Sequence, residues 1–191
     1  MLFRSYQPRD PTLLGAPRAF LERGGFAFAK TLAETDAERA NPWLLLERKF
    51  DDGALPVLGD ANTLTWILKV GVGKDLEITD EAGRPLKLRI VGALSGSIFQ
   101  GELIASQEQL LKRFPSLTGF RFVLIPPMKG DSAETVERLR TGLSSYGAEV
   151  QTTGERLAQF RSVEHTYMAT FQALGGLGLL LGTLGLGVVL V

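Results

Sequence analysis

Apolar and polar positions change period along the chain, and the changes mark its elements. From Leu55 to Ser106 the pattern is that of strands. Thr63–Val70 (TLTWILKV) is rich in β-branched and aromatic residues and predicts a strand. Leu76 and Ile78 alternate within Asp75–Thr79, and Leu86, Leu88 and Ile90 alternate within Leu86–Val91. The DEAGRP stretch from Asp80 to Pro85 supplies turn chemistry between them, so a hairpin is expected, with a loop longer than the two-residue ideal. Glu102–Ala105 adds a short strand, completing a small, mostly antiparallel lobe.

At Ser106 the period becomes helical. Ser106 and Gln109 have capping-box spacing, Leu110, Leu111 and Phe114 follow, and Pro115 ends the helix. Phe120–Ile125 (FRFVLI) predicts a strand closed by Pro126 and Pro127. Asp131 and Glu134 form the next capping box, opening a helix whose stripe is Val136, Leu139, Leu143 and Tyr146 and whose stop is Gly147. Ala148–Thr153 predicts another strand. Strand, helix and strand make a βαβ unit with a right-handed crossover. A third capping box, Thr152 and Glu155, starts a helix carrying Leu157, Phe160, Val163, Tyr167, Phe171 and Leu174 at spacings of three and four. From Glu155 onward it meets no glycine or proline before Gly175, so a rigid stalk is expected.

That stalk leads into Phe171–Val191, FQALGGLGLLLGTLGLGVVLV, which carries no charge and whose only polar side chains are Gln172 and Thr183. A helix of about 21 residues reaches about 30 Å, the thickness of a bilayer's hydrocarbon core, and satisfies its own backbone there. A transmembrane helix is therefore expected. Gly175, Gly178, Gly182 and Gly185 share one face of it, and Gly178 to Gly182 is a spacing that lets another helix approach closely.

The first 50 or so residues have the weakest periodicity. Pro8, Pro11, Gly15 and Pro17 punctuate a loop, Ala19–Arg23 reads as a short amphipathic turn, and Gly24 and Gly25 break it. Phe26–Ala29 reads as a short strand and Thr35–Ala40 as helix-compatible. Asn41-Pro42 marks a turn, and Trp43–Leu46 is expected to pack on the body of the domain. The fold class is thus α+β: an extracytoplasmic domain with a small β-rich lobe and a βαβ, ferredoxin-like lobe, then a long helix continuing into a C-terminal transmembrane helix. The divisions are 1–54, an N-terminal part of the domain with the least defined structure; 55–118, the β-rich lobe with one helix; 119–154, the βαβ lobe; 155–170, the stalk; and 171–191, the membrane helix. The opening MLFRSYQPRDPTLLG has no apolar signal core, and the final apolar run stops without flanking Lys or Arg. Both ends predict a fragment of a longer membrane protein.

Charge and composition narrow the function. Basic and acidic residues balance at 21 each, so the basic surplus of a nucleic-acid binder is missing. Without cysteine there is no disulfide framework, thiolate chemistry or zinc–cysteine site. The single histidine, His165, lies between Glu164 and Thr166 beside the expected membrane surface, with no nucleophile-elbow serine to pair with it. VGVGKD from Val70 to Asp75 imitates a phosphate loop, but Asp75 stands where a Mg²⁺-binding hydroxyl is needed, so a glycine turn is the reading. Asp51 and Asp52, adjacent and followed by Gly53, read as a solvated turn. No catalytic residue, cofactor site or metal site is predicted, and the chain is not read as an enzyme.

Arg156–Val191, RLAQFRSVEHTYMATFQALGGLGLLLGTLGLGVVLV, resembles the entry into the C-terminal transmembrane domain of FtsX/MacB-type ABC transporter permeases. The β-rich lobe from Leu55 to Ser106 and the βαβ unit from Phe120 to Thr153 are similar to the periplasmic core of that family. The resemblance implies a mechanotransmitting permease in the plasma (inner) membrane, with residues 1 to about 168 extracytoplasmic. It implies as partners the lipid bilayer, a separate ABC ATPase subunit that hydrolyses ATP, and a second permease copy or homologue. Relative to such a permease, the chain lacks the first span, the later spans and the segment that meets the ATPase. The alternative from another class is a single-span membrane-anchored binding or sensor domain.

Overall fold

The computed structural model describes residues 11–120, 122–126, 132–160, 171–179 and 181. They fall into two compact units divided between Ile125 and Pro126. The first is built on a six-stranded mixed sheet. Its strands are β1 (Thr12–Ala16), β2 (Phe28–Thr31), β3 (Leu55–Asp60), β4 (Asp75–Thr79), β5 (Pro85–Leu94) and β6 (Glu102–Ser106). The order is β1-β6-β3-β5-β2, with β4 also paired to β5. β4 takes the first half of β5 (Thr79 opposite Pro85, Asp75 opposite Arg89), and β2 takes its last residues (Phe28 opposite Leu94).

The sequence explains much of this. The β4–β5 hairpin forms around Asp80, whose carboxylate accepts the backbone N–H groups of Ala82 (3.0 Å) and Arg84 (2.8 Å) in the DEAGRP turn. Leu86, Leu88 and Ile90 are buried as their alternation requires, and Leu76 and Ile78 pack against the same cluster. β3 is buried at all six positions and sits between β6 and β5. It holds one core on each face of the sheet, Leu58 with Trp43 and Leu46 on one side, Leu55 and Val57 with Leu88 and Leu103 on the other. Its register to β5 jumps from Val57↔Ile90 to Leu58↔Gly92, so Val91 is an extra residue bulged into β5.

The sheet is less antiparallel than the pattern predicted. β1 runs parallel to β6 and β3 parallel to β5. Pairing direction depends on crossovers between segments distant in sequence, which local periodicity does not carry. The N-terminal part contributes β1, α1 (Arg18–Arg23), β2 and α2 (Asp36–Ala40) to this unit. A 3₁₀ turn, Pro42–Glu47, buries Trp43, Leu45 and Leu46. The Trp43 indole donates to the Gly25 carbonyl (2.8 Å) and meets Phe20 edge-on at 4.8 Å. Thr35 and Glu38 close a full capping box at the start of α2.

Besides the pairing directions and β1, which forms where Pro11, Gly15 and Pro17 predicted a loop, three expectations are corrected. Thr63–Val70 is not a strand: Thr63–Leu68 forms a π-helical turn, closed by the Val70 N–H donating to the Leu64 carbonyl (2.9 Å). Tertiary contacts override β propensity here. Asp60 Oδ1 accepts the Asn62 N–H (3.0 Å), Thr63 Oγ1 accepts the Gly101 N–H (2.8 Å), and Leu64 folds over Gly59. A Cβ on Gly59 would lie 2.8 Å from both Leu64 Cδ2 and Leu103 Cδ2, so any side chain there would have to displace both buried leucines. The second correction concerns α3 (Gln107–Arg113). Ser106 is its N-cap residue but makes no side-chain cap bond, and Gln109 instead donates to the Leu46 carbonyl (2.8 Å). The third is the βαβ lobe. Its helix, α4 (Ser132–Leu143), is present, but among the described residues neither 120–125 nor 148–153 forms a strand. Phe122 and Leu124 do turn inward to the first core while Phe120 and Val123 face solvent, so the alternation survives without a ladder partner. Thr153 is already helical. The Asp131–Glu134 capping box lies outside the described residues.

Candidate functional site

The unit from Pro126 onward carries the elements expected to couple an outer domain to a membrane. α4 ends in a short 3₁₀ turn, Ser144–Tyr146, and Gly147 takes φ 69°, the left-handed stop that the sequence predicts. An extended link follows, and residues 153–160 are helical. Their start is fixed by the predicted capping box: Glu155 N–H donates to Thr152 Oγ1 (3.1 Å), and Thr152 N–H donates to Glu155 Oε2 (2.8 Å).

Arg140 joins the two helices of this unit. Its Nε donates to the Val150 carbonyl (3.1 Å), and an Nη donates to both carboxylate oxygens of Glu155 (3.0 Å each). The Thr152 backbone N–H first, and the Arg140 guanidinium next, hold the Glu155 carboxyl below its ordinary range. Arg140, Ser144, Glu155 and Gln159 border an open cleft of about 490 Å³. Arg140 and Glu155 are engaged with each other, and Glu149 accepts from Gln151, so the charged groups lining the cleft are already partnered. Sequence reasoning placed Glu155 in the cap but missed Arg140, because a 15-residue separation has no local signature.

Of the predicted stalk positions, Leu157 and Phe160 are half-buried, and the Arg156 guanidinium lies over the Phe160 ring at 5.2 Å. Val163 and Tyr167 lie outside the described residues, as does His165. Residues 171–179 are helical, with Phe171, Leu174, Leu177 and Leu179 exposed. A Cβ placed on Gly175 or Gly178 would meet no atom within 4 Å. Gly182 and Gly185 lie outside the described residues. Among the described residues no helix is long and apolar enough to cross a membrane.

Elsewhere the questioned motifs resolve into structural parts. The Gly73 N–H donates to the Ile90 carbonyl (2.8 Å), so the VGVGKD turn spends that amide on the sheet. Asp75 and Asp52 both accept from Arg89 (2.7 Å each), which lies 4.6 Å above the Phe50 ring and holds both carboxyls below their ordinary range. The Asp51–Asp52 turn is exposed, as expected of a solvated turn. Among the described residues, no group of three His, Cys, Asp or Glu could hold a metal ion. No family model, curated protein or solved structure matches the chain.

Proposed function

We propose that the chain is the extracytoplasmic core and first C-terminal span of an ABC transporter permease of the FtsX/MacB type, passing the motion of a partner ATPase to an outer domain. The observation carrying this reading is the charge-free run Phe171–Val191 placed directly behind an amphipathic, capped helix start. The joint of Arg140 with Glu155 and Val150 supports it. A mechanical element must be gripped at its outer end, and this ion pair ties the first turn of the stalk to α4. A glycine face expecting a neighbouring helix is consistent with further spans or a second copy. The finer ferredoxin-like description of the second lobe belongs to the same proposal.

The test is coupling in a complex purified through this chain from its native membrane. An ABC ATPase should co-purify, and nucleotide should change a distance between labels on α4 and on the sheet unit. A flexible Gly-Ser stretch inserted after Ser162 should preserve ATP hydrolysis and abolish that change. Membrane retention without an ATPase favours the anchored sensor domain, and an unaffected distance change refutes the rigid stalk.

A further inference from the structure

The two tryptophans of the chain have opposite surroundings. Trp43 is enclosed by Phe20, Phe26 and Phe28. Trp66 is 75% exposed and Ile67 45%, both on the π-helical turn. An indole so exposed is unusual, since burying its large apolar area is favourable. The turn is not loosely held. The buried Asp60 carboxylate accepts from Asn62 N–H, Ser97 N–H (2.8 Å) and Ser97 Oγ–H (2.9 Å) at its root, and Leu64 is locked over Gly59. The turn ends at Lys69, a non-glycine residue at φ 53°, a conformation that costs free energy and persists only where its surroundings enforce it. The exposed pair is therefore presented by a rigid base.

Charge decides what it is presented to. Lys69 and Lys74 are exposed and form no ion pair among the described residues. Lys74 is fixed beside β5 by the Ile90 N–H donating to its carbonyl (3.0 Å). The neighbouring Asp75 is already engaged by Arg89, and Glu77 stands opposite Lys87 in the β4–β5 register. The segment from Trp66 to Lys74 thus offers one indole, one isoleucine and two ammonium groups that form no ion pair among the described residues. Two exposed apolar side chains are few beside the 20–30 residues a side of a stable protein interface. Tryptophan at headgroup level with lysines reaching lipid phosphates is the composition that anchors a protein to a bilayer surface.

We propose that Trp66, Ile67, Lys69 and Lys74 form a peripheral contact with an anionic lipid surface, separate from the apolar helix. The inference rests on the membrane-tethered reading only for the nearness of a bilayer. The test uses the full chain with two sets of vesicles carrying brominated acyl chains, one of phosphatidylcholine and one enriched in phosphatidylglycerol. The Trp66 signal is the emission lost in Trp66→Phe, which keeps Trp43. The chain should float with both sets, while Trp66 emission shifts to the blue and is quenched in the anionic set only. Lys69→Gln and Lys74→Gln should each weaken that quenching about fivefold. Flotation with both sets and an unquenched Trp66 overturns the contact, leaving the surface to an acidic protein partner, while the tether stands. Flotation with anionic vesicles alone, lost in Trp66→Phe, overturns the tether and keeps the contact. Flotation with neither overturns both.

Discussion

In the sheet unit, Trp43, Leu45, Leu46, Leu58 and Leu103 are fully enclosed. In the unit beginning at Pro126, Val136, Leu139 and Leu143 form a stripe that is only half covered, and Tyr146 is exposed. The contrast is one of closure. A sheet with β3 buried between two cores supplies both sides of its own packing. A short helix, a turn and a capped helix start bury too little to be stable by themselves, because isolated helices of this length are marginal in water. Order in the second unit must come from caps, from the Arg140 joint and from whatever covers its apolar face in the proposed permease. The first unit closes its own core, and the described part of the second leaves its apolar stripe half covered.

Mutations should separate the two. Trp43→Ala removes the centre of an aromatic cluster and the bond to Gly25, and should cost about 3–5 kcal/mol in urea unfolding. Leu139→Ala, on the half-covered stripe, should cost less than about 1 kcal/mol in the same measurement. Equal losses would erase the distinction. Asp60→Ala strands the N–H groups of Asn62 and Ser97 and the Ser97 hydroxyl, and should destabilise by about 3 kcal/mol. It should also release the π-helical turn, seen as faster hydrogen exchange at Leu64 and Val70.

Acid should act on the sheet unit through Glu38. Its carboxylate accepts the backbone N–H groups of Glu34 (3.0 Å) and Thr35 (3.1 Å) and two bonds from Arg48 (2.8 Å each). The Glu34 amide foremost, with Thr35 and Arg48, lowers its pKa to about 2 against an ordinary 4.5. A carboxyl lowered on folding adds stability above its unfolded pKa and loses it as pH falls through the folded one. The window is therefore pH 4.5 down to about 2. Glu38→Gln should flatten that part of the stability profile, and an unchanged slope contradicts the assignment. The smallest effect belongs to the second unit. Glu155→Ala removes its half of the capping box and the Arg140 joint together, and should speed hydrogen exchange across residues 153–160. The sheet unit should be untouched.

What the sequence revealed follows the range of each interaction. The β4–β5 hairpin, the caps at Thr152 and Glu155 and the stop at Gly147 depend on residues a few positions apart, and they read directly; the burial of Trp43 and Leu46 read from their apolar run, although the Trp43 indole bonds Gly25, 18 residues earlier. The TLTWILKV stretch misled because its composition favours a strand, while its conformation is set by Gly59 and by Gly101, 38 residues beyond Thr63. The parallel pairs β1–β6 and β3–β5 join segments that no local pattern links. Phe120–Ile125 has strand alternation but no ladder partner among the described residues, and a strand exists only in a ladder. Of the candidate site, Gly175, Gly178, Leu157 and Phe160 were legible as helix positions. Arg140 was not, since its partners lie across a turn.

The most direct measurement is alkaline extraction of membranes containing the full chain, in wild type and in a variant with Leu177→Arg and Leu181→Arg. If Phe171–Val191 spans the bilayer, the wild type stays in the membrane fraction, and two arginines in the run, each costing about 2.5–3.5 kcal/mol at a helix centre, release it. A wild-type chain extracted into the supernatant contradicts the account at its centre.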